Sequence, residues 1–248
     1  MRCWDDPVYL RLLAALLGAG FGLAALFAAW PGLDIRAAGL FHAASGFPLA
    51  DSAPIAGLRL AYRLAVNASF LLMLWLLAAP RLTGYAPRVP PRIWSFGIAL
   101  YLLGPGLLAN VVLKDHWGRA RPDAVAAFGG PMQFTGPFEI AGQCLRNCSF
   151  VSGEGAGAAA LASLAIALAW PMLRHKGTGV AATIAFALGV MLVRMGPGRH
   201  FLSDMLFAFL LVGLVAMGLY PLFGIDEARR GLRPGDIAQD LRASLRLG

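Results

Sequence analysis

The chain has 248 residues, of which 58% are hydrophobic and only 14% are charged, and its mean hydropathy is +0.67. This composition excludes an ordinary soluble domain and predicts a membrane protein. The formal net charge of +8 is spread over short loops and a C-terminal tail, a pattern typical of loops held in the cytoplasm against anionic lipid heads, and nucleic-acid binding is not expected.

Six uncharged apolar runs are long enough to cross a bilayer. A transmembrane helix needs about 20 apolar residues, within a range of roughly 17 to 25. The runs cover residues 12–30, 64–80, 93–113, 155–173, 177–193 and 205–225. Little of the chain remains for a separate soluble domain, so the sequence predicts one all-α membrane domain over residues 1–248, a six-span transmembrane helical bundle.

The basic residues predict the orientation of this bundle. The termini and the loops at 81–92 and 174–176 hold 12 of the 21 Lys and Arg residues in about 49 positions, whereas the other three loops hold 9 in about 85. Because loops rich in Lys and Arg stay in the cytoplasm, both termini are predicted to be cytoplasmic, including the tail 226–248.

Two outer loops carry further structural expectations. The loop 31–63 mixes turn residues with short apolar pieces and is predicted to hold short interfacial helices on the membrane surface. Cys144 and Cys148 lie four residues apart in another outer loop, on the oxidising face. A disulfide is therefore predicted there, with two free packed thiols as the alternative. No histidine lies close to them, so no metal site is expected.

Polar residues cluster where the last four spans meet the outer loops. The third span runs into the segment 114–123, the fourth begins after 149–154, the fifth ends at Arg194, and the sixth opens with His200 and Asp204. The predicted topology places all of these at one membrane face. Ionisable residues at membrane depth are costly and therefore point to function.

This cluster has the composition of an anion-binding site. Lys114, Arg121 and Arg194 supply three positive charges, and the planar fork of arginine matches phosphate oxygens. Ser152 and Gly153 place a hydroxyl and free backbone N–H groups at the start of a helix, where anions bind readily. The predicted ligand is a phosphate-like anion.

His200 and Asp204 would add a reactive group to that site. Four residues apart, they share one face of a helix. A carboxylate that hydrogen-bonds one ring nitrogen fixes the tautomer and leaves the other nitrogen to act as a base or a nucleophile.

These residues resemble the type 2 phosphatidic acid phosphatases, which share a core with acid phosphatases and vanadium haloperoxidases. The family pattern is a lysine, six residues and Arg-Pro, then Pro-Ser-Gly-His, then an arginine, five residues, a histidine, three residues and an aspartate. The matching positions are Lys114, Arg121 and Pro122, then Ser152 and Gly153, then Arg194, His200 and Asp204. The resemblance covers about residues 60–225 and implies the integral-membrane branch of the family.

The resemblance implies a mechanism as well as a fold. His200 would attack phosphorus to form a phosphohistidine, Asp204 would hold the imidazole, and the cations with the Ser152–Gly153 segment would stabilise the phosphoryl oxygens. Water would then release phosphate, without a metal or another cofactor.

The second motif departs from the family pattern. Val151 replaces the usual proline, and Glu154 replaces the histidine that protonates the leaving group in the family. A buried carboxylic acid can donate a proton in the same way, so Glu154 is the predicted acid. His116 and Arg119 are further candidates for this site, and Arg119 is expected to contact either phosphate or solvent.

The predicted function is a lipid phosphate phosphatase of a bacterial inner membrane, with its site facing the periplasm. The candidate substrates are phosphatidic acid, phosphatidylglycerol phosphate, undecaprenyl pyrophosphate and the phosphates of lipid A, and the expected partners are this substrate and membrane lipids. Two alternatives are a lipid phosphotransferase and a non-catalytic anion-binding protein that has lost the acid. Four other arginines are interpreted as interfacial anchors or headgroup contacts: Arg36, Arg59, Arg63 and Arg146.

Overall fold

The computed structural model describes residues 6–169, 173 and 175–245, and within them the chain is helical with no β-strand. Residues 170–172 of the predicted fourth span and 246–248 of the predicted tail lie outside this part. The helices are α1 Pro7–Ala29, α2 Leu33–Gly39, α3 Ala53–Thr83, α4 Pro91–His116, α5 Gly153–Ala169, α6 Lys176–Met195, α7 Leu202–Leu222, α8 Ile225–Arg229 and α9 Asp236–Leu245. The predicted all-α fold is confirmed.

Five of these helices, α1, α3, α4, α6 and α7, are long and apolar enough to cross a membrane. Their outward faces carry large apolar side chains such as Phe21, Leu71 and Leu188, which are 76%, 63% and 58% exposed. Water disfavours such faces, whereas lipid chains accommodate them. The predicted fourth span corresponds to α5, which is apolar but is described over only 17 residues, so the exact count of six spans stays a prediction.

Helix α3 begins much earlier than predicted. The predicted loop 31–63 ends at residue 52, where Pro54 lies in the first turn of a helix that has 31 residues. Proline is favoured there because its fixed φ suits a helix and its missing N–H is not needed. At 1.5 Å per residue α3 is about 46 Å long, more than the roughly 30 Å of a bilayer core. Its first three turns therefore belong to a helix that extends beyond the apolar span.

Small residues let the central helices approach closely. Helix α7 packs against α1, α4 and α5. A Cβ on Gly157 of α5 would lie 3.1 Å from Val66 of α3, and one on Gly104 of α4 would lie 3.3 Å from Val212 of α7. Close packing of this kind drives helix association where no water is present to be expelled.

Helix α4 changes its winding at Pro105. Residues Leu102–Leu113 form a π-helix around this proline, which cannot donate a hydrogen bond to the preceding turn. The carbonyl of Pro105 accepts a hydrogen bond from the side chain of Asn110 at 2.7 Å. This bond orients Asn110 toward the start of α5, where a Cβ on Gly153 would lie 2.3 Å from its Oδ1.

The two ends of the bundle differ in composition. The site end gathers α2, the start of α3, the ends of α4 and α6 and the starts of α5 and α7. At the opposite end the predicted tail is folded: Asp240 of α9 accepts hydrogen bonds from the backbone N–H groups of Arg88 and Val89, and Trp75 donates to Ser244 at 2.9 Å. The C-terminal helices thus close the end of the bundle that lies away from the polar cluster.

Candidate active site

His200 lies at the turn between α6 and α7 and is fully buried. The turn depends on Gly198, whose φ of 69° is unfavourable for other residues and whose Cβ would lie 2.6 Å from Phe47. Nδ1 of His200 lies 2.9 Å from the carbonyl oxygen of Ser149 and 3.5 Å from Oδ2 of Asp204. His200 is therefore paired with Asp204, as predicted, at the Nδ1 edge of the imidazole.

The environment of His200 leaves its other nitrogen free to react. A carbonyl can only accept a hydrogen bond, so Nδ1 carries the proton and Nε2 carries the lone pair. Nε2 is buried and has no hydrogen-bond partner among the described residues. Burial lowers the pKa of His200 to about 4, the charges of Arg194 and Lys114 act in the same direction, and Asp204 opposes them. Burial thus favours a neutral imidazole with its lone pair on Nε2.

Asp204 is held from several directions. Its Oδ2 accepts hydrogen bonds from the hydroxyl of Ser149 and from the backbone N–H of Phe201 at 2.8 Å. The second bond caps the first turn of α7, where an acidic side chain is favourable. Its backbone carbonyl accepts from the N–H of Ser152 at 3.2 Å. These contacts tie the start of α7 to the segment that precedes α5.

Arg119 is not exposed to solvent, which was one of its two sequence-based expectations, and its donors bind groups of the protein. Its side chain is fully buried and donates to Oδ1 of Asp204 at 2.7 Å and to Oδ2 of Asp34 at 2.8 Å. It also donates to Ser203 at 2.8 Å, and the ring of Phe201 lies 4.5 Å from its guanidinium carbon. A buried charge must be paired in this way, because desolvation is otherwise too costly.

Asp34 was not identified from the sequence. It lies on α2, is fully buried, and accepts from the backbone N–H of Ser203 at 2.8 Å and from its hydroxyl at 2.6 Å. Burial raises the pKa of Asp34, Arg119 opposes this shift, and the charge of Asp204 adds to it. Asp34 carried no local signal in the sequence, since its partners are 85 and 169 positions away.

The predicted cations converge at the site end. Nζ of Lys114 donates to the side-chain oxygen of Asn147 at 2.7 Å, and Arg121 donates to the backbone carbonyl of the same residue at 2.8 Å. Burial lowers the pKa of Arg121, and the neighbouring charge of Arg199 adds to this shift. Arg194 is 5% exposed, and its Nε has no hydrogen-bond partner among the described residues.

The loop that supplies Asn147 is closed by a disulfide between Cys144 and Cys148, whose Cα atoms are 5.6 Å apart. The structure thus pairs the two cysteines that the spacing predicted to be bonded. Asn147 has a positive φ of 53°, a conformation that asparagine tolerates better than most residues. The short closed loop holds Asn147 between Lys114 and Arg121.

Ser152 and Gly153 form the start of α5 as predicted. The hydroxyl of the buried Ser152 accepts from the backbone N–H of Gly155 at 3.1 Å, which is an N-cap bond. Gly153 is required by its contact with Asn110, since any Cβ would collide with that side chain. Ser149, to which the sequence assigned no role, contributes both a carbonyl to His200 and a hydroxyl to Asp204.

Glu154 is not placed as a protonated acid. Its carboxylate accepts three hydrogen bonds from Nε and NH2 of Arg59, at 3.1, 3.1 and 2.6 Å, and lies 3.4 Å from NH1 of Arg194. Two adjacent guanidinium groups stabilise the ionised carboxylate. This environment is opposite to the one that the predicted acid role requires.

His116 is exposed, and its Nδ1 lies 3.0 Å from the backbone carbonyls of Val111 and Val112 in its own helix. Within the described residues it makes no hydrogen bond or ion pair with His200 or Glu154, so the structure does not bring it to either residue. The described residues also contain no group of three or more His, Cys, Asp or Glu side chains arranged to hold a metal ion.

A cavity of about 520 Å³ opens between α3, α4, α5 and α6. One end carries charged side chains, and the remaining wall is mostly apolar. The charged residues are Arg59, Arg63, Lys114, Glu154 and Arg194, and the apolar wall includes Val66, Phe70, Leu102, Pro105 and Val193. An elongated ligand with an anionic head and an apolar body fits this division.

The comparisons with known proteins agree with this geometry. The PAP2 superfamily profile matches residues 92–226. The lipid A 4'-phosphatase of Rhizobium leguminosarum is 35% identical over 205 residues, 77% of this chain and 87% of that protein.

Two further proteins named lipid A 4'-phosphatase match as well. The one from Rhizobium etli is 33% identical over 230 residues, which are 84% of this chain and 88% of that protein. The one from Francisella tularensis subsp. novicida is 32% identical over 213 residues, which are 81% of this chain and 93% of that protein. No solved structure matches the chain significantly. With its family profile, its relatives and its apolar helices in agreement, the chain belongs to the PAP2 superfamily as a multi-pass membrane protein.

Proposed function

We propose that this protein is a membrane lipid phosphatase that hydrolyses a lipid phosphomonoester through a phosphohistidine on His200. The observation that carries the proposal is the neutral, buried imidazole whose Nε2 is unpaired beside converging cations. The relatives named lipid A 4'-phosphatase favour a phosphorylated glycolipid as the substrate.

The first step transfers the phosphoryl group to His200. The lone pair of Nε2 attacks phosphorus, the P–O bond to the lipid breaks, and its electron pair goes to the lipid oxygen, which takes up a proton and leaves as an alcohol. The imidazole now carries positive charge, and Asp204 stabilises it from the opposite edge of the ring, 3.5 Å from Nδ1. Because Asp204 is already positioned by Ser149 and Phe201, little reorganisation is needed.

The second step returns the enzyme to its starting state. Water attacks phosphorus, the P–N bond breaks, and inorganic phosphate is released. In both steps negative charge on the phosphoryl oxygens is stabilised by Lys114, Arg121 and Arg194, aided by the N-terminal backbone of α5 at Ser152 and Gly153. The net reaction consumes one water and yields a lipid alcohol and phosphate.

The proposed location is the periplasmic face of the inner membrane, with both termini in the cytoplasm. The distribution of Lys and Arg between the two sets of loops supports this orientation. The substrate keeps its acyl chains in the bilayer, along the apolar wall of the cavity, while its phosphate lies at the charged end. Substrate therefore enters laterally and does not need to leave the membrane.

Phosphate release from a panel of lipid phosphates, measured with purified protein in detergent, tests this function. We expect turnover of lipid A or a related glycolipid phosphate, and we expect His200→Ala to lose it by more than about 1,000-fold, because the nucleophile is gone. Equal activity in that variant would reject the nucleophile. Formation of a phosphorylated acceptor lipid without free phosphate would instead establish a transferase, and the absence of any turnover would leave a non-catalytic anion-binding protein.

A further inference from the structure

We propose that Arg59 is a phosphate-binding residue of this site and that Glu154 positions it instead of donating a proton. The proposal deepens the phosphatase function above and rests on it for the identity of the ligand. Arg59 lies outside the region matched by the family profile, which begins at residue 92. Nothing in the family pattern therefore assigns it a role.

The early start of α3 is what brings Arg59 to the site. Arg59 lies on the first turns of that helix and lines the charged end of the cavity with Lys114 and Arg194. Its side chain is 43% exposed, so a ligand can reach it. Had residues 53–63 formed a surface loop, as the sequence suggested, this arginine would have been one more headgroup contact.

Glu154 holds Arg59 in a defined orientation. The carboxylate binds Nε and NH2 of the guanidinium side-on, while NH1 makes no hydrogen bond to any described residue. A guanidinium held along one edge presents its remaining donors in a fixed plane, and such planar donors match phosphate oxygens. The ion pair thus removes much of the conformational freedom of a long side chain before the ligand arrives.

Glu154 also explains how two arginines can lie side by side. Its Oε2 is 3.4 Å from NH1 of Arg194, so one carboxylate bridges two guanidinium groups that would otherwise repel each other. Nε of Arg194 is buried without a partner in the described chain. An unsatisfied buried donor is costly unless a ligand completes it. Arg59 and Arg194 thus line the same cavity, each has a donor that no described residue uses, and Glu154 pairs with both.

This arrangement changes what happens at the position where the family pattern has a histidine. Here the chain places a carboxylate paired to arginine, and so supplies fixed positive charge where a histidine would supply a proton. As the P–O bond breaks, Arg59 stabilises the charge that develops on the phosphoryl and lipid oxygens. The lipid oxygen then takes its proton from water, and the hydroxide left behind attacks the phosphohistidine, so the net reaction is unchanged.

Two substrates of different leaving group distinguish this role from acid catalysis. A lipid alkoxide needs a proton to leave, whereas the nitrophenolate of 4-nitrophenyl phosphate does not. If Glu154 positions Arg59, Glu154→Gln raises KM for both substrates by a similar factor. If Glu154 is the acid, the variant loses about 100-fold or more in kcat on the lipid and little on 4-nitrophenyl phosphate, and the proposal is overturned.

The Arg59 variants complete the test. We expect Arg59→Ala to raise KM, and the inhibition constant of inorganic phosphate, by about tenfold or more, because charge-assisted hydrogen bonds are lost. Adding Glu154→Gln to it should have a smaller effect than Glu154→Gln has in the wild type, since the acid then holds only Arg194. Independent, multiplying effects of the two substitutions would contradict the proposal. Arg36→Ala is the matched control, because it removes an exposed arginine from α2 at the same end of the bundle.

Phosphate binding separates failure of this proposal from failure of the phosphatase function. Purified protein in detergent is heated with and without inorganic phosphate, and the rise in Tm is compared between variants. A smaller rise in Arg59→Ala supports the phosphate site even if no lipid is hydrolysed, whereas an unchanged rise overturns it. If Arg59→Ala does not fold, Arg59→Lys replaces it, because lysine keeps the charge without the planar guanidinium group. The rise in Tm with phosphate should then be smaller than in the wild type. An equal rise would overturn the proposal that the guanidinium group of Arg59 binds phosphate.

Discussion

Two ion-pair groups lie at the site end of the bundle, and they differ in how completely their hydrogen-bond donors are paired. In the first group Arg119 pairs with Asp34 and Asp204, all three side chains are fully buried, and each guanidinium nitrogen makes a hydrogen bond. In the second group Glu154 pairs with Arg59 and Arg194, the acid is 28% exposed, and donors on both arginines remain open within the described chain.

This difference separates a group that holds the site from one that can receive a ligand. A fully buried charge must be completely paired, and a complete set of partners leaves no donor for substrate. A half-exposed pair contributes little to stability, because water competes for it, yet its open donors remain available to an anion. Closeness to His200 is therefore insufficient to assign a role to an arginine, and the unused donors of the arginine are more informative.

The largest expected effect comes from breaking the buried group. Arg119→Met removes one charge and leaves two buried carboxylates without their shared partner, which should destabilise the fold by about 3–5 kcal/mol. Arg59→Met should cost about 1 kcal/mol or less, because that pair is partly exposed. The measurement is the unfolding midpoint in detergent, and similar losses in the two variants would remove the distinction between the groups.

A smaller effect is expected when Asp34 of the same buried group is changed. Asp34→Asn keeps the shape of the side chain but removes its charge, which should cost about 1–3 kcal/mol. Arg119 would then interact more strongly with Asp204 and draw it from His200, so we also expect kcat to fall while KM changes little. Asp51→Asn is the control, because that acid is exposed on the short 3₁₀ helix Pro48–Asp51. If Asp34→Asn raises KM with kcat unchanged, Asp34 does not act through Asp204.

The smallest effect concerns protonation of the histidine between the two groups. The pKa of His200 is lowered to about 4 from an ordinary value near 6.5. Between these values the unfolded chain binds a proton that the folded chain does not, so stability falls as pH falls through this window, by about 1 kcal/mol between pH 7 and pH 5.5. The unfolding midpoints of the wild type and His200→Asn are measured across this pH range. The wild type should gain stability relative to the variant as the pH rises toward neutral. Identical pH dependence would show that His200 is not held neutral by burial.

Much of the site follows from local patterns in the sequence. Lys114, Arg121, Arg194, His200 and Asp204 lie close to the ends of apolar spans, and alternation of the spans brings those ends to one face. Their spacing also resembles the family pattern, and the family profile matches the region 92–226 that contains them. Local patterns of this kind predict where residues lie in the fold, because each residue is positioned by the helix that carries it.

The pairings that the sequence did not predict involve residues whose partners are remote along the chain. Arg59 was interpreted as an interfacial anchor or headgroup contact, because the uncharged run begins after it, although α3 begins before it. Its partner Glu154 is 95 positions away. Arg119 lies between two motif residues, yet its direction depends on Asp34 and Asp204, each 85 positions away. No local pattern encodes such pairs.

By itself, the sequence determined the apolar helices and the chemical types gathered at one end of the bundle, because burial in lipid selects for apolar residues along each span. Only the tertiary structure decided which carboxylate pairs with which arginine, and hence which donors stay open. The physical reason is that the charge state and the remaining hydrogen-bonding capacity of a side chain depend on all of its neighbours in space. Packing of α2 and α3 against the other helices supplies those neighbours.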